Sequence, residues 1–163
     1  MKKLQQVFEI DSYDDITMLP ADDAALLTKA RAVTSQAYAP YSRFHVGAIL
    51  QLANGELVNG TNQENASYPA GICAERVGLS AAASLYPGVP VSVIAISYHN
   101  HNVEGASGRP ISPCGICRQS LAEQQARQSS PIRLILSGQE GAIYVIPNAA
   151  DLLPLSFSAS DME

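Results

Sequence analysis

Three cysteines and one glutamate hold the most evident chemistry of this chain. They lie in two short segments, Cys73-Ala74-Glu75-Arg76 and Pro113-Cys114-Gly115-Ile116-Cys117-Arg118, which together use every cysteine present. Three thiolates can hold a zinc ion and leave its fourth position for water. A glutamate two residues beyond the first thiolate is placed to move that water's proton. The set reads as a hydrolytic zinc site. Three thiolates would also leave the centre with a net negative charge, which weakens acidification of bound water. Arg76 and Arg118 each directly follow a motif and are the candidates to offset that charge by hydrogen bonding to the sulfurs.

Other chemistries fit fewer of these residues. A structural zinc wants a fourth protein ligand, and His99 and His101, just before the second cluster, are the donors at hand. A thioredoxin-like C-x-x-C redox motif accounts for neither Cys73 nor Glu75. The net charge is −5 and only three residues are lysine. Polyanion binding usually needs a basic stripe, so a small neutral substrate fits better than nucleic acid. No apolar run approaches the roughly 18 residues of a membrane span, and the polar residues after Lys3 interrupt any signal-peptide core. A cytoplasmic protein is expected, in which cysteines serve metal or redox work rather than a disulfide framework.

The chain has 163 residues, enough for one domain with a sizeable core. Residues 1–20 read as an N-terminal extension in which Gln6–Ile10 is a candidate extended piece. Residues 21–163 read as a single domain. Pro20-Ala21-Asp22-Asp23 opens a first helix that Pro40 stops. Phe44, Val46, Ala48 and Leu50 alternate as a strand does, and Asn54-Gly55 turns the chain back into an antiparallel partner. A second helix is predicted from about Ala74 to Leu85. Val91–Ile96 reads as a buried central strand, followed by a polar loop from His99 to Pro110. A third helix runs from near Cys114 to about Gln128. Two strands follow, Pro131–Leu136 and Ala142–Ile146, joined too tightly to be anything but antiparallel. The expected fold is a three-layer α/β/α sandwich around a mixed five-stranded sheet. Both cysteine clusters then sit at helix N-termini, where anions are favoured and thiol pKa values fall.

Four stretches carry a family resemblance. They are Ala39-Pro40-Tyr41-Ser42-Arg43-Phe44-His45-Val46-Gly47-Ala48, Asn62-Gln63-Glu64-Asn65-Ala66-Ser67-Tyr68, the Cys73 segment, and Pro113–Gln119. With the tail Asp151–Ser158, they resemble cytidine deaminase of the small homotetrameric type, which acts on free nucleosides. The resemblance covers roughly residues 20 to 160. It implies that Cys73, Cys114 and Cys117 bind one zinc ion per subunit and that Glu75 shuttles protons. It implies a substrate site made of Phe44, Asn62, Glu64, Ala66, Tyr68 and Phe157. In that set, Asn62 and Glu64 hold the ribose 3′-hydroxyl and Phe44 packs on the pyrimidine. Tyr68 and Phe157 reach into the site of a neighbouring subunit. The implied reaction is hydrolytic deamination of cytidine and 2′-deoxycytidine in pyrimidine salvage. Blasticidin-type deaminases share the metal motif, but Asn62-Gln63-Glu64-Asn65 argues for a ribose.

Overall fold

The computed structural model describes residues 1–103, 105 and 107–162. Glu104 and Ala106, inside the expected polar loop, lie outside the described residues. The elements are β1 (Asp11–Tyr13), α1 (Ala21–Val33), β2 (Phe44–Leu52), β3 (Leu57–Thr61), α2 (Ala74–Leu85), β4 (Val91–Asn100), α3 (Gly115–Gln128), β5 (Arg133–Ser137) and β6 (Ile143–Ile146). They form one sheet in the order β1-β6-β5-β4-β2-β3. The β4–β5 pair is parallel and every other neighbouring pair is antiparallel.

The expected α/β/α layering is present, but the sheet has six strands rather than five. The sixth is β1, which pairs Asp11 with Val145 and Tyr13 with Ile143 along the free edge of β6. The extended segment falls at Asp11–Tyr13, beyond Gln6–Ile10. An edge strand of three residues is held by backbone bonds and shows too little side-chain alternation to be read. Two further boundaries differ from expectation. Helix α1 ends at Val33, well before Pro40. There the Thr34 and Ser35 hydroxyls donate back to the carbonyls of Arg31 and Ala32, and a single 3-10 turn follows. Hydroxyl side chains that compete for helix carbonyls favour such an end. Strand β4 runs on to Asn100, into the expected loop.

The period of two divides the core between the faces. Ile49, Val93, Ala95, Ile135, Ile143 and Val145 point to one side and pack on Leu26, Leu27, Ala30 and Val33 of α1. Ala48, Leu50, Ile94, Ile96, Leu134 and Leu136 point to the other, against Ala74, Leu79 and Ala82 of α2 and Leu121 of α3. Asp23, buried in the first turn of α1, pairs in bidentate fashion with Arg133 at the start of β5.

This topology places the chemistry. Strand β3 runs antiparallel to β2, and β2 antiparallel to β4, so β3 and β4 point the same way. Helix α2 follows β3 and α3 follows β4. Both helices therefore begin at one end of the sheet, beyond the C-terminal ends of parallel strands, where open α/β sheets gather their ligands. Two glycines seat α2. A Cβ on Gly60 of β3 would overlap the Ala74 carbonyl and come 2.6 Å from the Gly78 nitrogen. A Cβ on Gly78 would overlap Leu50. Gly78 costs helix propensity and in return lets α2 lie directly on β2 and β3. Gly60→Ala is expected to destabilise the protein by about 1–3 kcal/mol, read from the midpoint of chemical denaturation at unchanged slope.

Candidate active site and metal centre

Cys73 and Cys114 are the N-cap residues of α2 and α3. Their carbonyls accept the first helical bonds, from Val77 and Arg118. Neither side chain caps its helix, so both sulfurs are free for another partner. Cys117, one turn into α3, is buried. The three sulfurs lie within 4.8 Å of one another, with Cys73–Cys114 at 3.7 Å and Cys114–Cys117 at 3.4 Å. A tetrahedral zinc with bonds of about 2.3 Å spaces its sulfurs by about 3.8 Å. The observed separations suit that ion.

The charge of the cluster points the same way. A hydrogen bond from the Cys117 thiol, against the effects of burial and of Glu75, lowers Cys73 to about 6. Arg76 adds attraction of the same sign. Cys117 is pushed up in turn, first by that shared bond and then by burial. Without a cation Cys117 keeps its proton, and all three sulfurs could ionise together only around one. Among the described residues no histidine joins the group. His99 and His101 instead stack on each other at 4.0 Å, with His45 edge-on to His101 at 4.6 Å. Among the described residues the protein donors number three, which would leave a bound zinc ion a fourth position for water or substrate.

Glu75 sits in the first turn of α2 and is 5% exposed. Burial pushes its carboxyl above the ordinary carboxylate value, the direction a proton shuttle requires. It lines a cavity of about 210 Å³ with Cys73, Cys114, Phe44, Val46 and Asn62. The Asn62 amide acts as an extra strand partner for β2, accepting from the Val46 N–H at 2.7 Å and donating to the Phe44 carbonyl at 2.9 Å. Asn62 thus fixes the backbone of Phe44 as well as standing at the cavity wall. Glu64 accepts from the backbone N–H groups of Tyr41 at 2.9 Å and Ser42 at 3.2 Å. Burial opposes its ionisation. Hydrogen bonds from the Ser42 side chain and these two N–H groups, with His45 nearby, outweigh burial and hold the carboxyl below its ordinary value.

Residues 20–130 match the profile of the cytidine and deoxycytidylate deaminase zinc-binding region. The chain belongs to this family. The cytidine deaminase of Halalkalibacterium halodurans is 38% identical over 141 residues, which span 86% of this chain and 98% of that protein. The cytidine deaminase of Sporosarcina psychrophila is 37% identical over 145 residues, 86% of this chain and 95% of that protein. Among solved structures, the cytidine deaminase of Burkholderia pseudomallei superposes with a TM-score of 0.69 at 38% identity, covering 82% of this chain and 97% of that one. The Mycobacterium tuberculosis cytidine deaminase gives 0.64 at 29% identity, over 85% and 99%. This chain is a zinc-dependent hydrolase of the cytidine deaminase family, and its three cysteines are positioned to bind one ion.

The remaining residues marked out in the sequence stand apart from the cavity beside the sulfurs. Tyr68 is 75% exposed and edge-on to Tyr41 at 5.9 Å. Both line a second hollow of about 380 Å³ with Glu64, Ser42 and Asn65. Ala66 is exposed on the same segment. Phe157 is 60% exposed. Its carbonyl accepts from Gln119, and its ring borders a groove along α3 with Ala122 and Ala126. The Arg118 guanidinium donates to the carbonyls of Pro113 and Leu152, tying the second cluster to the C-terminal segment. Arg76 is half-buried and faces Ser120 and Arg127 across the cleft between α2 and α3.

Several contributors carried no signal in the sequence. Ile111 and Ser112 close the cavity just before the second cluster. Asn102 donates to the Ser42 carbonyl and pins the turn whose N–H groups hold Glu64. Neither has a diagnostic spacing. The three sulfurs are expected to act as one unit: Cys114→Ser should reduce zinc in the purified protein from one equivalent to background, as measured by mass spectrometry of the metal.

Proposed function

We propose that this chain catalyses hydrolytic deamination of cytidine and 2′-deoxycytidine to the uridines plus ammonia, as a step of pyrimidine salvage. The observation that carries the reading is one cavity lined by Cys73 and Cys114 of the three-sulfur cluster, by the buried Glu75, and by Phe44 and Asn62. The names of the related proteins support cytidine as the substrate.

Zinc, when bound, would activate water for attack on the pyrimidine C4. Glu75 takes the proton released from that water. It passes that proton to N3 of the ring, then takes the second proton, from the hydroxyl now on C4, and passes it to the amine as the C4–N bond breaks, so that water and cytidine leave as uridine and ammonia. Phe44 packs on the base. Asn62 and Glu64 hold the ribose 3′-hydroxyl: a carboxylate accepts and an amide both donates and accepts, which together match a hydroxyl. The ionised state of Glu64 favours the accepting role.

Tyr68 and Phe157, both largely exposed in the single chain, complete the sites of neighbouring subunits in a homotetramer. Arg76 offsets the charge of the sulfurs, and its attraction on Cys73 supports that role. Among the described residues no helix is long and apolar enough to cross a membrane. Reduced metal-binding thiols suit the cytoplasm.

The test is loss of the ultraviolet absorbance of cytidine on mixing with zinc-loaded protein. Glu75→Ala is expected to keep its zinc and lose about 10²–10⁴-fold in turnover. Full zinc with undiminished turnover would remove Glu75 from the chemistry. Glu64→Ala is expected to raise KM for cytidine without loss of zinc; an unchanged response to cytidine concentration would refute the sugar contact. Turnover of blasticidin S but not of cytidine would overturn the substrate assignment.

A further inference from the structure

Phe44 has two ring faces, and one of them is already occupied. Its ring stacks on Tyr98 with centroids 4.8 Å apart and planes 15° from parallel. The two residues are diagonal neighbours across β2 and β4, because Phe44 is opposite Asn100 and Tyr98 is opposite Val46. Such diagonal pairs lie within reach of aromatic side chains. Tyr98 is 4% exposed and does not border the cavity, whereas Phe44 is half-buried and does.

Burial confines the Tyr98 ring, and its backbone is tied as well. Its carbonyl accepts from Gln139, whose amide also reaches Ser97 and Thr34. On the Phe44 side, the backbone is fixed by Asn62 and by the Ser42 hydroxyl, which accepts from the Phe44 N–H. These bonds place the Cα of Phe44 but leave its ring free to turn about the side-chain torsions. The parallel face of Tyr98 is the contact that selects one ring plane.

We propose that Tyr98 is a positioning residue for the base: it backs Phe44 from within the sheet and presents that ring to the pyrimidine in a fixed plane. The proposal rests on the reading of Phe44 as the base contact. Offset stacking gains energy only over a narrow range of ring geometries. A ring held in plane before binding also loses less freedom when substrate arrives. Tyr98 therefore acts on substrate binding, through Phe44, and leaves zinc and Glu75 untouched.

Steady-state kinetics on cytidine with zinc-loaded Tyr98→Phe, Tyr98→Leu, Tyr98→Met, Phe44→Leu and the double variant Tyr98→Leu/Phe44→Leu test this. Tyr98→Phe keeps the flat face and is expected to keep KM within about twofold of wild type. Tyr98→Leu and the size-conserving Tyr98→Met lose it, and are expected to raise KM by about two- to tenfold with zinc content and kcat largely retained. The double variant is expected to match Phe44→Leu alone, since residues acting through one contact are not additive. A raised KM in Phe44→Leu with an unchanged KM in both Tyr98→Leu and Tyr98→Met would overturn the positioning role while leaving the base contact standing. Multiplied effects in the double variant would also overturn it, by showing that Tyr98 acts independently. An unchanged KM in Phe44→Leu would instead overturn the base contact on which the proposal rests.

Discussion

Three sulfurs within 4.8 Å of one another cannot all be thiolates without a cation between them. That constraint organises the molecule. Cys73 and Cys114 belong to different helices, so a bound ion would join α2 to α3 at the one end of the sheet where both begin. The helix N-termini contribute partial positive charge that favours the thiolate forms. The seating of α2 on Gly60 and Gly78 sets how far Cys73 and Glu75 lie from the second cluster. Burial of Glu75 is a consequence of the same packing. A carboxyl on the first turn of a helix is normally solvated, and here the close approach of sheet and helix removes the water and raises its pKa.

The rim opposite the metal is built by polar contacts to backbone. Asn62 extends the ladder of β2 with a side chain instead of a strand. Arg43, just before Phe44, adopts a left-handed backbone with φ 52°, a conformation that costs a non-glycine residue about 1–2 kcal/mol. The surroundings impose it: the Arg43 N–H donates to Ala39 and its carbonyl accepts from His101. Asn102 holds the adjacent Ser42 carbonyl. The segment after β4, which reads as a polar loop, therefore braces the turn that carries Tyr41 and Ser42 into Phe44. Strain held in place by several independent bonds is a common property of binding sites.

The alternation of the strands also separates two groups of side chains at the same sheet end. Phe44 and Tyr98 point toward the zinc side, while His45, His99 and His101 point to the α1 side and gather there. The nearness of His99 and His101 to the second cysteine cluster in sequence gives no nearness in space. A period-two strand sends neighbouring residues to opposite faces.

The sequence alone determined the three sulfur donors, the glutamate beside them and the helices that carry them. Cysteine is the residue type for which few other roles compete in a chain of this kind, and helix starts have local signals. α2 lies at Ala74–Leu85 as its pattern predicts. The alternation in Phe44–Leu50 and the apolar run at Val91–Ile96 likewise disclosed the two central strands, because burial imposes a period. Only the tertiary structure decided the rest. β1 is an edge strand without readable alternation, held by backbone bonds to β6. Gly78 is a cost in the helix until Leu50 and Gly60 are seen against it. Tyr98, one more apolar position of a buried strand in sequence, becomes the support of Phe44 only when β2 and β4 are in register. Local pattern reports whether a residue is buried and in what element. Which residue it is buried against depends on strand order and register, and these are settled by contacts between segments distant along the chain.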